Sequence, residues 1–319
     1  MKKIILDCDP GHDDMMAIML AASNPEIDLL GVTTVAGNQT GAKTFENARK
    51  ILTLIGKKDL ATGKEIPLAR GADVPLFKPL TVAPQIHGSS GLDGAELPAP
   101  DVDALEIDAV DFIIKTLNES NEKITLVPTG PLTNIAMAFL KAPAIKNKVK
   151  EIVLMGGAVY DSNITPAAEF NIYVDPEAAK IVFDSGLPVT MIGLDVTNKS
   201  LMTFPVIEDM IGWNGPASKI VGPLMKFFAQ ANKDNFGIDG APVHDALAVA
   251  RVIDPSVVEC EFLNVDIETA SELTRGQTLA DLYKVTGKEP NVDVALKVNV
   301  DRFLELLLGA IRTLDEKLK

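Results

Sequence analysis

Four carboxylates fall within eight residues near the start of the chain: Asp7, Asp9, Asp13 and Asp14. They straddle the end of an apolar run, Lys3-Ile4-Ile5-Leu6, and the start of a helical one. Pro10-Gly11 enforces a turn between the two. Asp13 and Asp14 therefore open a helix, where free N–H groups and the helix dipole favour negative charge. A helix cap explains one of these acids and leaves the others unexplained. Crowded carboxylates resist ionisation unless a cation neutralises them, and an all-oxygen donor set suits Ca²⁺ or Mg²⁺. A second chemistry is phosphoryl transfer by an Asp-x-Asp pair, with Asp7 as nucleophile and Asp9 as acid. Phosphatases of that sort usually carry Thr or Val two residues after the second acid, where this chain has Gly11.

Other segments carry groups that could join the acids. Asn38 follows Gly37 at the end of a β-rich run, as a turn residue or as a neighbour of the cluster. Val127-Pro128-Thr129-Gly130-Pro131 is either an ordinary turn or one whose carbonyls face a ligand. Met155-Gly156-Gly157 leads into Asn163, Glu169 and Asn171, a hydrogen-bonding set suited to a polyhydroxylated ligand. Asp175-Pro176 reads as a structural helix start. His244-Asp245 opens an apolar helix, and His244 could donate a proton. The chain has only three histidines, and none falls elsewhere: His12 lies in the acid cluster, His87 in a Gly-rich loop, His244 beside Asp245.

The elements that must position these groups follow from the apolar runs. Strands are expected at residues 3–6, 27–34, 123–127, 151–155 and 188–193. Helices are expected at 15–22, 44–55, 110–117, 132–139 and 176–183. A β-rich stretch at 256–300 and a closing helix at 302–318 complete the pattern. The strands read as continuous apolar runs, as in a parallel sheet covered by helices on both faces. The expected fold is thus α/β, an open and mainly parallel sheet in a single domain over residues 1–319. Residues 67–100 hold six prolines and several glycines and read as a long surface connection, a functional lid or a plain connector. The 319 residues carry 30 Lys+Arg against 44 Asp+Glu, a net charge of −14. That balance argues against binding a nucleic-acid polymer. Two cysteines cannot staple a chain this long and fit a reducing, cytoplasmic setting. The first residues are too short for a signal-peptide apolar region, and no run approaches the roughly 18 apolar residues of a membrane helix.

Taken together, Asp7-x-Asp9-Pro10-Gly11-x-Asp13-Asp14, Asn38, Glu169-Phe170-Asn171 and His244-Asp245 resemble the nucleoside hydrolases, over nearly the whole chain. That family cleaves the N-glycosidic bond of ribonucleosides. The resemblance implies an open α/β core, a tightly bound Ca²⁺ and a dimer or tetramer. It implies Asp9, Asp14 and Asp245 as carboxylate ligands and Thr129 as a ligand through its carbonyl. Asp9 would also be the general base, with Asn38 orienting the attacking water. Asp13, Asn163, Glu169 and Asn171 would hold the ribose, with Met155 nearby. His244 would be the leaving-group acid, and His87 would sit in a mobile loop near the base. His12, His87 and the Phe170–Asp175 segment are similar to pyrimidine-preferring bacterial members, so uridine or cytidine is the expected substrate, with inosine possible as well. The chain departs from the family at 230–236, which lacks a tyrosine and leaves Phe227, Phe228 or Phe236 to contact the base. It departs again at Ala246, where proline is usual. A ribose-binding protein of the same fold with little turnover is the competing reading, and the Asp-x-Asp phosphatase a third.

Overall fold

The computed structural model describes residues 1–318. Six parallel strands set the frame: β1 (Lys2–Cys8), β2 (Ile27–Thr34), β3 (Leu68–Arg70), β4 (Ile124–Pro128), β5 (Val149–Met155) and β6 (Val189–Ile192). Their order is β3-β2-β1-β4-β5-β6, the doubly wound order in which the chain reverses direction of travel beside β1. Two C-terminal strands extend the sheet. Val292–Val298 pairs parallel to β6, and Val258–Leu263 pairs antiparallel to it at the edge.

Alternation along β1 shows how the sheet is buried. Ile4, Leu6 and Cys8 belong to one apolar cluster and Ile5 to the other. Both faces are covered, so no polar alternation is needed and the strands are apolar throughout. Helix α1 (His12–Ser23) is buried along its whole length. It packs beside helix His244–Ile253, with small residues such as Ala17, Ala21, Ala246 and Ala250 in the shared core. That packing brings the N-terminal turns of the two helices together above the sheet's carboxyl edge.

The expected elements are present with ends shifted by a few residues, and Ile27–Thr34 and Pro176–Phe183 coincide with expectation. Two departures matter. Helix Ser218–Phe236 was not expected, because Pro223 stands inside it and proline in a helix interior removes a hydrogen bond and breaks the pattern. The 67–100 segment is more than a surface connection. It contributes β3 to the sheet and a one-turn helix, Pro84–His87, and it buries Ala83, Ile86, His87 and Leu92. No helix among the described residues is long and apolar enough to cross a membrane.

Candidate active site

The acids expected to do chemistry meet at the carboxyl ends of β1 and β4, beside the reversal of strand order, where open α/β sheets bind ligands. Ligating oxygens of Asp13, Asp14 and Asp245 all lie within 4.8 Å of one another, and all three residues are buried. Asp14 is the best anchored. It accepts hydrogen bonds from the Gly11 N–H (3.0 Å), the Asp9 N–H (3.3 Å), Asn38 Nδ2 (3.2 Å) and Thr129 Oγ1 (3.0 Å). The bond to Gly11 is the helix cap anticipated from sequence. Asp9 lies just behind. Its Oδ2 accepts the Asn38 N–H at 2.7 Å, while its Oδ1 is buried with no partner among the described residues. Asp13 Oδ1 is likewise unpartnered.

Two glycines make room for Asp9. A Cβ on Gly37 would run into Asp9 Oδ2, and one on Gly130 would stand 2.6 Å from Asp9 Oδ1. Gly37→Ala is therefore expected to displace the Asp9 carboxylate. It should lower kcat by about 10- to 100-fold and cost roughly 1–3 kcal/mol of stability, the usual range for overpacking. Steady-state rates and a thermal melt on the same sample check it, and an unchanged kcat would show that Asp9 has slack.

Burial raises the pKa of Asp9, Asp13, Asp14 and Asp245, and repulsion from neighbouring acids adds to it at Asp9, Asp13 and Asp245. Asp13 is pushed up to about 8. Such a set is strained as four anions and is relieved by a cation, which reverses the local electrostatics. Buried carboxylates converging from two helix starts, with Asp9 Oδ1 and Asp13 Oδ1 unpartnered, fit a hard divalent ion. Asp13, Asp14 and Asp245 are the tightest trio, with Asp9 and Thr129 adjoining through their bonds to Asp14 and its neighbours.

Above the acids opens a partly enclosed cavity. Its lining includes Asp13, Asn38, His87, Thr129, Met155, Asn163, Glu169, Asn171, His244 and Asp245, all singled out from sequence. Asp9 and Asp14 form the layer behind that lining. Several lining groups are held by the backbone. Glu169 caps the helix Phe170–Val174, accepting the N–H groups of Asn171 (2.8 Å), Gly157 (2.9 Å) and Ile172 (3.1 Å). Asn163 Oδ1 accepts the Phe170 N–H at 2.9 Å, which leaves its amide N–H₂ for a ligand. Asn171 Nδ2 donates to the Thr129 carbonyl (2.7 Å) and the Met155 carbonyl (3.2 Å). His244 Nδ1 lies 2.8 Å from Thr197 Oγ1. Burial lowers the His244 pKa to about 4.

Asp7 does not join the site. Its Oδ1 accepts Thr33 Oγ1 (2.5 Å) and Asn134 Nδ2 (2.8 Å) inside the sheet, and burial pushes it up to about 7. A carboxyl buried away from the cavity and held by Thr33 and Asn134 is no phosphoryl acceptor, so the Asp-x-Asp phosphatase reading fails. Residues that sequence reasoning left unassigned also line the cavity: Gln85 and Ile86 from the 67–100 segment and Asn232 from helix Ser218–Phe236. Phe228 and Phe236 line it as well. Phe227 instead stacks on His12, with centroids 5.6 Å apart. The signal for that wall was the buried spacing Val221, Leu224, Met225, Phe228, Asn232, one helical face interrupted only by Pro223.

The sequence profile described as inosine-uridine preferring nucleoside hydrolase matches residues 4–305. The chain belongs to that family. It is an enzyme, an N-glycosyl hydrolase of ribonucleosides. Among its relatives is the pyrimidine-specific ribonucleoside hydrolase RihA of Shewanella sp. (strain MR-4), 45% identical over 311 residues, 97% of this chain and 96% of the relative. RihA of Escherichia coli O1:K1 / APEC is 44% identical over 310 residues, 97% of this chain and 98% of the relative. Among solved structures, the purine-preferring ribonucleoside hydrolase from Gardnerella vaginalis superposes with a TM-score of 0.91 at 36% identity, covering 99% of this chain and 100% of that one. The fold is therefore that of a nucleoside hydrolase, as the sequence resemblance implied.

Proposed function

We propose that this nucleoside hydrolase acts on pyrimidine ribonucleosides, uridine and cytidine first, and releases ribose and the free base. The observation that carries the reading is the buried trio Asp13, Asp14 and Asp245 beneath a cavity lined by Asn163, Glu169 and Asn171 and walled by Phe228 and Phe236. The 45% identity to pyrimidine-specific relatives supports the base preference.

In this reading Ca²⁺ is the resident ion, held by Asp9, Asp14, Asp245 and the Thr129 carbonyl. The chemistry supplied by calcium there is a lowered pKa for water and positive charge for the sugar hydroxyls. The remaining work belongs to the chain. Asp9 takes the proton of the attacking water through its unpartnered Oδ1, and Asn38, bonded to both Asp9 and Asp14, orients that water. Asp13, Asn163, Glu169 and Asn171 grip the ribose, with Met155 against it. As the bond breaks the sugar gains oxocarbenium character, and the surrounding carboxylates favour that positive charge. His244 donates to the departing base. Burial disfavours its cation, so the proton it passes on is one it takes up from solvent as negative charge growing on the base raises the proton affinity of the imidazole. His87 lies toward the base.

The whole chain, residues 1–319, acts as one domain in this proposal, and the 67–100 segment is the movable cover. The free thiols of Cys8 and Cys260 support a reducing, cytoplasmic setting. The exposed apolar side chains Leu273, Tyr283 and Val285 support a homo-oligomer, a dimer or tetramer.

A panel of uridine, cytidine, inosine, adenosine and guanosine, assayed for reducing sugar, tests the function. Uridine and cytidine should show kcat/KM at least about tenfold above inosine, a gap that pocket contacts can supply. No ribose from any of the five would sink the hydrolase reading for this site, and a preference for inosine would sink its pyrimidine arm.

A further inference from the structure

The stretch 256–300 supplies no residue to the proposed mechanism, yet one of its side chains acts on the cavity through a neighbouring loop. Val265–Ile267 and Thr278–Ala280 form a two-stranded antiparallel ribbon, apart from the main sheet, with Ile267 opposite Thr278. The ribbon is fixed to the fold. Val265 and Ile267 are buried in one cluster with Ala179 and Val182 of helix Pro176–Phe183. Arg275 holds both carboxylate oxygens of Glu177, at 2.7 and 2.6 Å, at the start of that helix. Gly276 has φ +81°, and a Cβ there would stand 2.7 Å from Tyr173 Cα, so the ribbon lies directly on the helix that Glu169 caps.

Thr278 itself is buried. Its hydroxyl donates to the Ala158 carbonyl and accepts the Ala158 N–H at 2.9 Å. Both directions are fixed, because a carbonyl only accepts and a backbone N–H only donates. The Thr278 methyl closes over Gly157: a Cβ on Gly157 would stand 2.7 Å from Thr278 Cγ2. Gly157 has φ +72°, a conformation open to glycine and costly for other residues. One threonine thus holds both polar groups of residue 158 and packs against residue 157.

The rest of this loop is pinned from the other side, by the end of β6 and the turn after it. Gly156 donates its N–H to the Ile192 carbonyl (3.2 Å), and the Gly157 carbonyl accepts the Leu194 N–H (2.9 Å). The Asp195 carboxylate accepts the N–H groups of Val159 and Tyr160 at 2.7 and 2.9 Å. One N–H of the loop serves the cavity instead: Gly157 donates to Glu169 Oε2 at 2.9 Å. The N–H groups of Asn171 and Ile172 that also bond to this carboxylate belong to its own helix. Gly157 is therefore the group that ties Glu169 to the sheet. Two successive glycines precede Ala158, and glycine has more backbone freedom to lose than any other residue. Thr278 fixes the peptide on which that freedom acts.

We propose that Thr278 is a positioning residue for sugar binding: by holding the Gly157–Ala158 peptide, it aims the Gly157 N–H at Glu169 and so sets the Glu169 carboxylate against the ribose. This rests on Glu169 gripping the ribose in the nucleoside site. The effect falls on the sugar, which every ribonucleoside shares, and leaves the base untouched. An interaction made equally in the ground state and the transition state lowers KM without changing kcat, so the contribution of Thr278 is read in KM.

Thr278→Val keeps the shape of the side chain and removes the hydroxyl, which leaves the Ala158 N–H and carbonyl buried without a partner. It should raise the KM for uridine about tenfold, with kcat within about threefold of wild type. The KM for cytidine and for inosine should rise by the same factor, so that base preference does not move. In the protein without substrate, the Gly157 amide should exchange with solvent at least about tenfold faster than in wild type. Thr278→Ser keeps both hydrogen bonds and should bring KM back to within about threefold of wild type. Should Thr278→Val fail to fold, Thr278→Ala, which leaves room for a water at Ala158, carries the same comparison. Wild-type KM values in a folded variant that melts at a lower temperature would overturn the proposal and leave Thr278 a purely structural residue. An unchanged Gly157 amide, or a KM rise confined to one base, would overturn it as well. Because amide exchange is read on the protein alone, its failure is distinct from failure of the hydrolase reading, which would appear as no ribose from any nucleoside with the wild-type protein.

Discussion

Asp9→Asn is expected to lower kcat on uridine by about 10³- to 10⁴-fold while the KM stays within about threefold, a barrier increase of roughly 4–5 kcal/mol. The substitution keeps the shape of the side chain, and its amide oxygen can still accept the Asn38 N–H that Asp9 Oδ2 holds at 2.7 Å. What it loses is the ability to take a proton at the buried, unpartnered Oδ1. Loss confined to kcat is the mark of an interaction made only in the transition state. Steady-state kinetics on the variant, alongside a melt to confirm folding, checks this. A kcat within tenfold of wild type would remove Asp9 from the role of base, and a KM rise with kcat intact would move it to sugar binding.

Removing the divalent ion should have the second largest effect. Chelation should abolish ribose release by at least about 100-fold, with recovery on adding back Ca²⁺, and it should also destabilise the fold in a pH-dependent way. In the stripped protein Asp13 binds its proton up to about 8, whereas an unfolded aspartate releases it near 4. Between those values the folded state holds more protons than the unfolded state, so stability falls as pH rises. The loaded protein escapes that penalty, because the cation favours the ionised acids. The drop in Tm on chelation should therefore be several degrees larger at pH 8 than at pH 5. Equal drops at both pH values would show that the acids do not share a cation.

Much of the active site was legible because catalytic groups in an open α/β fold sit at strand ends, and strand ends are visible as apolar runs cut off by Pro-Gly or Gly-Asn turns. Asp9, Asn38, Thr129 and Met155 each end or directly follow such a run. Phe228 and Phe236 of the aromatic wall were among the residues named from sequence, but the helix that carries them was not legible. Helix Ser218–Phe236 carries Phe228 and Asn232 into the cavity, but Pro223 interrupts its pattern. The 67–100 segment was harder still. Its prolines and glycines describe a loop, and nothing local indicates that His87 is buried, because what covers it is Phe228 and His12, more than 70 residues away on either side.

The sequence by itself determined the fold class, the family and the roster of polar groups, since each is written in short-range features: apolar period, turn residues and an acid cluster too dense to be a cap. Only the tertiary structure decided which acids meet. Asp13 and Asp14 lie more than 230 residues from Asp245, and they converge because α1 and helix His244–Ile253 pack through small side chains over one face of the sheet. It also decided that Asp7, two residues from Asp9, takes no part. Asp7 is still inside β1 and on the face of Ile5, where Thr33 and Asn134 hold it, while Asp9 lies past the strand end, at the Pro10-Gly11 turn where the chain has left the strand's alternation, and adjoins the cluster. Pairing between residues distant in sequence depends on packing, and no local pattern encodes it.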